Sequence, residues 1–314
     1  MRFASIITGL VAIAQASPLV KRASTSDAAT VGYATQNGGT KGGAGGKVTT
    51  VTTLAALTSA AAGDTAGIVM ISGTISGAGN VKIGSNKSII GAKGAKLVGI
   101  GLTVKAAKNV IIRNIAISKV LASNGDAIAL NKATNVWIDH VDVSSDIDHD
   151  KDYYDGLIDV THACDWVTIS NSYIHDHFKS SLVGHSDSNG SEDKGHLTVT
   201  YANNYWKNTH SRGPSVRFGT AHVFNSYYEN VSDGINTRLG AQLLVESNVW
   251  VGSSKPLYSV NDDGFAVSVD NDFGGKSNTA KAGTLTKVPY TYTKLGSAKV
   301  KAGVVGVAGA TLSF

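Results

Sequence analysis

The chain has 314 residues, 42% of them hydrophobic and 16% charged, with 36 Gly, 4 Pro and a single Cys, whereas soluble domains usually carry about 25% charged residues. This composition excludes a largely disordered chain, and one cysteine excludes an internal disulfide framework or a metal site built on several thiolates. The formal net charge is +5, which invites a nucleic-acid reading that the start of the chain removes.

Arg2 precedes an apolar run from Phe3 to Ala16 that ends in Ala14-Gln15-Ala16, the three-part form of a secretory signal, and too short and interrupted for a finished membrane anchor. Residues 1–16 are therefore expected to be a signal peptide. Residues 17–22, ending in Lys21-Arg22, read as a propeptide, and 23–314 as one secreted, extracellular, monomeric domain. Loss of Arg2, Lys21 and Arg22, with no acid removed, lowers the charge from +5 to +2. A nucleic-acid partner then loses its electrostatic support. Three sequons make Asn86, Asn189 and Asn230 candidate glycosylation sites.

The glycine-rich stretch from Gly38 to Lys47 is not a phosphate loop: Val48 follows Gly46-Lys47 where Ser or Thr would hold magnesium, and no apolar strand precedes it. A tight structural loop is expected. Thr50 to Ala62, with Leu54, Ala55 and Leu57, predicts a short helix that caps the end of a core. From about Val81 onward, apolar runs alternate with polar residues at period two and close on Asn or His, as in Val110-Ile111-Ile112-Arg113-Asn114 and Val136-Trp137-Ile138-Asp139-His140. The closing residues Asn114, His140, Asn171, Asn204, Asn225 and Asn248 recur at intervals of 26, 31, 33, 21 and 23 residues. A repeat of this length with β-branched and aromatic residues and no 3.6 period points to an all-β solenoid, a parallel β-helix with a ladder of Asn at one bend.

Asp139 to Asp165 holds nine Asp. An EF-hand starting at Asp146 fails, since Lys151 stands where Gly is needed and Leu157 where Glu is needed. Asp155 and Asp159 flank Gly156-Leu157-Ile158 at the start of a strand, and with Asp126 from the coil beneath they form an open three-sided calcium site. His175 and His177 lack a third ligand for zinc, so a structural role is expected. Arg212 and Arg217 bracket Gly213-Pro214-Ser215-Val216; they either face one groove, where arginine suits carboxylates, or pair with acidic neighbours. Residues 276–314 carry no legible chemistry and are expected to pack along or cap the helix.

Together, Asn135-Val136-Trp137-Ile138-Asp139-His140, the Asp155-x-x-x-Asp159 pair, Lys179 after Tyr173-Ile174-His175, and Arg212-x-Pro-x-x-Arg217 resemble the extracellular pectate lyases of the first polysaccharide-lyase family, in a fungal form. The resemblance implies a single-domain right-handed parallel β-helix that cleaves polygalacturonate, de-esterified pectin, by calcium-dependent β-elimination. It implies calcium (Ca2+) on Asp126, Asp155 and Asp159, proton abstraction by Arg212, and substrate-carboxylate contacts from Lys179 and Arg217. Bacterial relatives often carry Asp two residues before the first ligand, where this chain has Asn124, and Glu where it has Asp155. Arginine is ordinarily protonated up to a pH of about 12, so an alkaline optimum is expected. The alternatives are a pectin lyase or polygalacturonase on the same fold, for which Asp262-Asp263 and Gly184-His185 offer a faint match, or a non-catalytic carbohydrate-binding β-helix.

Overall fold

The computed structural model describes residues 23–314; the expected signal and propeptide segments lie outside the described residues. Short strands with alternating apolar side chains cannot bury themselves alone, and here each is covered by the next coil of the same chain. Eleven strands form the first stack, from Lys47–Val51 through Thr134–Asp139, Asp165–Ser170 and Thr198–Ala202 to Lys281–Ala282, each parallel to its neighbours.

The long strand Lys96–Lys105 forks the other sheet: its start, Lys96 to Val98, pairs with Ala116–Ser118, and its end, Leu102 to Lys105, pairs with Ile128–Asn131. A second stack runs on through Asp142–Ser144, Tyr173–Lys179, Tyr205–Ser211, Tyr227–Val231 and Val249–Val251. A third runs through Ile158–Thr161, Ser181–Val183, Ser215–Arg217, Asp233–Arg238 and Lys255–Tyr258. The expected parallel β-helix is the observed architecture.

Register makes the core a set of columns. Val110, Val136, Val167, Val199, Ala221 and Leu243 follow one another on successive coils, all fully buried. On the second stack Trp206, Tyr228 and Trp250 follow one another, with ring centroids 5.7 and 4.6 Å apart.

The bend after the first stack demands a left-handed residue, and Asn114, His140, Asn171, Asn203 and Asn225 supply it with φ between 49° and 59°, a conformation asparagine tolerates better than most. The Asn series divides here into two ladders. Asn171, Asn203 and Asn225 form one, linked amide to amide at 3.1 and 3.0 Å. Asn204 and Asn248 sit one residue further on, each accepting from a backbone N–H of the preceding coil, Ser172 and Ser226, at 2.9 Å. Simple interval counting merged them because Asn occupies both positions.

The helix Leu54–Ala61 forms inside the expected segment, with the Thr53 hydroxyl accepting from Ala56 N–H at 3.2 Å and Leu57 and Ala61 fully buried. The glycine-rich loop is a tight packing element: a Cβ on Gly42 would lie 2.9 Å from Ile111 Cγ1, and the Gly42 N–H donates to Asn109 Oδ1. The C-terminal region both caps and packs. Lys281–Ala282 ends the first stack, and the helix Ser297–Val304 lays Val300 and Val304 on Tyr205, Tyr227 and Val249. No helix among the described residues is long and apolar enough to cross a membrane.

Candidate active site

The turns that enter the third stack deliver one functional side chain after another to the same flank. Asp126 precedes the strand Ile128–Asn131, Asp155 precedes Ile158–Thr161, Lys179 precedes Ser181–Val183 and Arg212 precedes Ser215–Arg217. Within Ile158–Thr161 the alternation of the strand buries Ile158 and Val160 in the core and sends Asp159 outward. A groove of about 520 Å³ results, lined by Asp126, Asp155, Asp159 and Arg212 among others.

Gly156 sets how closely the carboxylates approach. A Cβ at this position would lie 2.6 Å from Asp159 Oδ1 and 2.8 Å from Asp126 Oδ1, so the two oxygens flank one point that any larger residue would fill. The Gly156 N–H donates to Asp126 Oδ1 at 2.8 Å and the Leu182 N–H to Asp159 Oδ1 at 3.0 Å. The second oxygen of each carboxylate has no hydrogen-bond donor among the described residues.

Burial, and then the charge of Asp155, pushes the Asp126 carboxyl up to about 6, while burial and then the charge of Asp126 hold Asp159 well above the ordinary carboxylate range. Arg212 partly offsets both shifts. Two mutually repelling acids with free oxygens on an open groove favour a bound cation.

Asp155 lines the same groove but is engaged by a cation, its Oδ1 3.4 Å from Lys179 Nζ, which also lies 3.2 Å from Asp152 Oδ1. Consequently no group of three or more His, Cys, Asp or Glu converges on one point among the described residues. The donor set is nevertheless hard carboxylate oxygen, open on one side, with no thiolate or imidazole in it; this fits calcium rather than zinc.

The two arginines part company. Arg212, at φ 64°, accepts from the Ser181 N–H through its carbonyl at 2.9 Å, but its side chain makes no hydrogen bond or ion pair among the described residues and lines the groove beside the acids. Arg217 is held on Asp187 and on the Gly184 carbonyl, at 3.1 Å for the latter, and Arg238 grips the same Asp187 at 3.0 Å. Pairing with an acid therefore holds for Arg217 and not for Arg212.

His175 and His177 do not form a metal pair. His175 stacks on Tyr173 and binds Asp142 and Asp176, while His177, 2% exposed, donates from Nε2 to the Asp155 carbonyl at 2.6 Å and meets Ser145 Oγ through Nδ1. Burial lowers His177 to about 4, so it holds the Asp155 backbone as a neutral ring. The structural role expected of His177 is this hold on the Asp155 backbone, whereas Asp152, Gly156 and Asp187 were given no role from the sequence. Gly156 was legible as the residue between two acids, whereas the other contacts depend on loops folding back.

Trp137, Asp139 and His140 lie elsewhere, in a cavity of about 500 Å³ between the first stack and both ends of the described chain. Asp139 is fully engaged there by Arg113 at 2.8 Å, His140, Ser170 and Asn171. Asp263 caps the Leu239 turn at 2.9 Å, and neither it nor Asp262 lines the groove. Among the sequons Asn86 bonds Asp64 and Asn109, Asn189 bonds Glu192 and Asp193, and Asn230 is exposed, with a 3.3 Å contact to Asn208.

A parallel β-helix supplies the scaffold, and the acidic groove with its adjacent unpaired arginine side chain is the site where an enzyme's chemistry can be placed on it. The pectate lyase family model matches residues 1–312, and the chain belongs to that family. It is 64% identical to the probable pectate lyase A of Aspergillus fumigatus, over 98% of each chain. It is 66% identical to the pectate lyase A of Aspergillus niger, over 94% of this chain and 91% of the other. A crystal structure of a pectate lyase from a Bacillus species in complex with trigalacturonate superposes with a TM-score of 0.82 at 30% identity, covering 90% of this chain and 98% of that one. The protein is thus a pectate lyase, as the sequence motifs implied.

Proposed function

We propose that this pectate lyase cuts polygalacturonate by calcium-dependent β-elimination, with Asp126, Asp155 and Asp159 as calcium ligands, Arg212 as the base, and Lys179 and Arg217 as contacts to sugar carboxylates. The observation that carries the reading is the unpaired Arg212 guanidinium lining the same groove as three carboxylates, two of which meet at Gly156. The trigalacturonate held by the Bacillus relative supports a galacturonate polymer as substrate.

When bound, calcium supplies positive charge against the uronate carboxylate, lowering the energy of the carbanion-like charge that develops beside it. Lys179 exchanges Asp152 and Asp155 for that carboxylate and so releases Asp155 toward the metal. Arg212, acting from the uncharged form of its side chain, takes the proton from the sugar carbon next to the carboxylate. The electron pair left behind forms a carbon–carbon double bond as the bond to the neighbouring sugar's oxygen breaks, and that oxygen takes up a proton. No water is consumed, which separates the reaction from a glycosidase's. Arg217, preset on Asp187, orients a neighbouring sugar.

The N-terminal pattern supports a secreted, extracellular enzyme freed after Arg22, working as a monomer on a polymer outside the cell. Exposure of Asn230 makes it the most accessible of the three sequons.

The test is incubation with polygalacturonate while ultraviolet absorbance follows the unsaturated product, with and without a chelator. Absorbance is expected to rise, to stop on chelation and to resume when calcium is restored. Chain shortening without absorbance would mean hydrolysis, and binding without product a carbohydrate-binding module.

A further inference from the structure

The groove does not end at the proposed calcium ligands. Lys105, Asn131 and Thr161 occupy one register position on three successive coils of the third stack, each paired with the next. All three line the same groove as Asp126 and Asp159. Successive coils stand about 4.8 Å apart, so Lys105 lies about 10 Å along the helix axis from the Asp159 coil. The groove thus continues toward the N-terminal end of the helix.

This extension has the polarity of an anion site. Lys105 is exposed and makes no ion pair among the described residues, unlike Lys132 on the neighbouring coil, which pairs with Glu192 at 2.9 Å. Beside Thr161, the His162 and His185 rings stack at 4.8 Å and line the groove wall. His162 is fixed by Glu192 at 2.8 Å through Nδ1, which turns its other nitrogen free of any partner, and His185 has none at either nitrogen among the described residues. One unpaired ammonium, an N–H of the His185 ring and the Asn131 amide therefore line the groove that Asp126 and Asp159 also line. Such donors match a row of carboxylates spaced along an extended chain, not a neutral sugar.

Resting on the reading of the groove as a polygalacturonate site, we propose that Lys105, Asn131 and the His162–His185 pair form a further subsite. It binds the carboxylate of a galacturonate lying beyond the reacting pair, toward the N-terminal end. Longer substrates reach it and short ones do not. It contributes to holding the polymer and takes no part in proton transfer.

The test uses Lys105→Ala, Lys105→Glu and His185→Ala in the full-length enzyme, with melting temperatures measured alongside so that any misfolded variant is set apart. Retardation in gels containing polygalacturonate gives affinity independently of cleavage, and KM and kcat are compared for the polymer and for trigalacturonate. Lys105→Ala is expected to weaken polymer affinity about two- to fivefold, the range of a solvent-accessible ion pair, with a larger loss for Lys105→Glu. KM on the polymer should rise in step while kcat holds, and the trimer should respond less. Equal retardation of Lys105→Glu and the wild type would overturn the subsite. Wild-type retardation without cleavage would overturn the lyase reading and still leave the Lys105 comparison decisive; no retardation of the wild type would overturn both.

Discussion

Gly156 and Arg212 show how separately the two halves of the site are built. Gly156 is needed because the space its Cβ would fill is bounded by carboxylate oxygens at 2.6 and 2.8 Å. The Arg212 side chain has no hydrogen-bond or ion-pair partner among the described residues, so its identity matters to the groove more than to the fold. Gly156→Ala should therefore weaken calcium binding at least tenfold, read by calorimetry, because the carboxylates must spread. Arg212→Lys should leave calcium affinity and melting temperature near wild type while lowering kcat about 10²- to 10⁴-fold, the usual weight of a positioned base. The opposite pattern, calcium loss in Arg212→Lys with turnover kept, would remove Arg212 from its proposed role. Of these two residues the sequence motif exposed Arg212 readily, whereas the function of Gly156 emerges only when Asp126 arrives from the coil beneath.

At the scale of elements, the first stack carries a buried polar seam where the C-terminal segment attaches. His222 lies on the strand Thr220–Phe224, with Nδ1 2.8 Å from the Tyr290 hydroxyl and Nε2 3.2 Å from Glu246, which also accepts from Tyr292 and Lys294. Burial lowers His222 from 6.5 to about 4. Between those values the unfolded chain binds a proton that the folded chain refuses, so stability is complete above about pH 6.5 and falls as pH drops toward 4. The loss approaches on the order of 3 kcal/mol at the acid end of that window. Denaturant titrations from pH 7 to pH 4 should show this slope, and His222→Gln, which cannot titrate, should flatten it; an unchanged slope would place the acid sensitivity elsewhere. None of this was legible in residues 276–314, where the polar side chains that reach His222 and Glu246 follow no period. By contrast the β-helix itself was legible, since Val110, Val136 and Val167 repeat the same alternation. The ladder was half legible: Asn at two adjacent bend positions looks like one series until the register separates Asn203 from Asn204. Likewise, Trp137-Ile138-Asp139-His140 helped to identify the family while sitting in a clasp between the ends of the described residues, outside the groove, because a sequence motif records a constraint without its cause.

Across the whole molecule, charge is distributed for a polyanion despite the modest net value. The flank of the third stack carries Lys105, Lys179, Arg212, Arg217 and Arg238, and only Lys179, Arg217 and Arg238 among them are paired with acids in the described residues. In the proposed reading Lys105, Lys179, Arg217 and the calcium all act through carboxylates on the sugar. Methyl esterification removes that charge, so both affinity and the stabilisation of charge developing during elimination should fall together as esterification rises. A site for esterified pectin would instead need uncharged or aromatic groups around the sugar carboxyl and no metal. Initial rates on polygalacturonate and on highly methylated pectin, at equal sugar concentration and with calcium present, should favour polygalacturonate at least tenfold, with the deficit appearing in kcat as well as KM. Faster cleavage of the methylated polymer without calcium would leave the β-helix and the elimination chemistry standing, while showing that the acids at Gly156 and the cations of the third stack do not select the substrate.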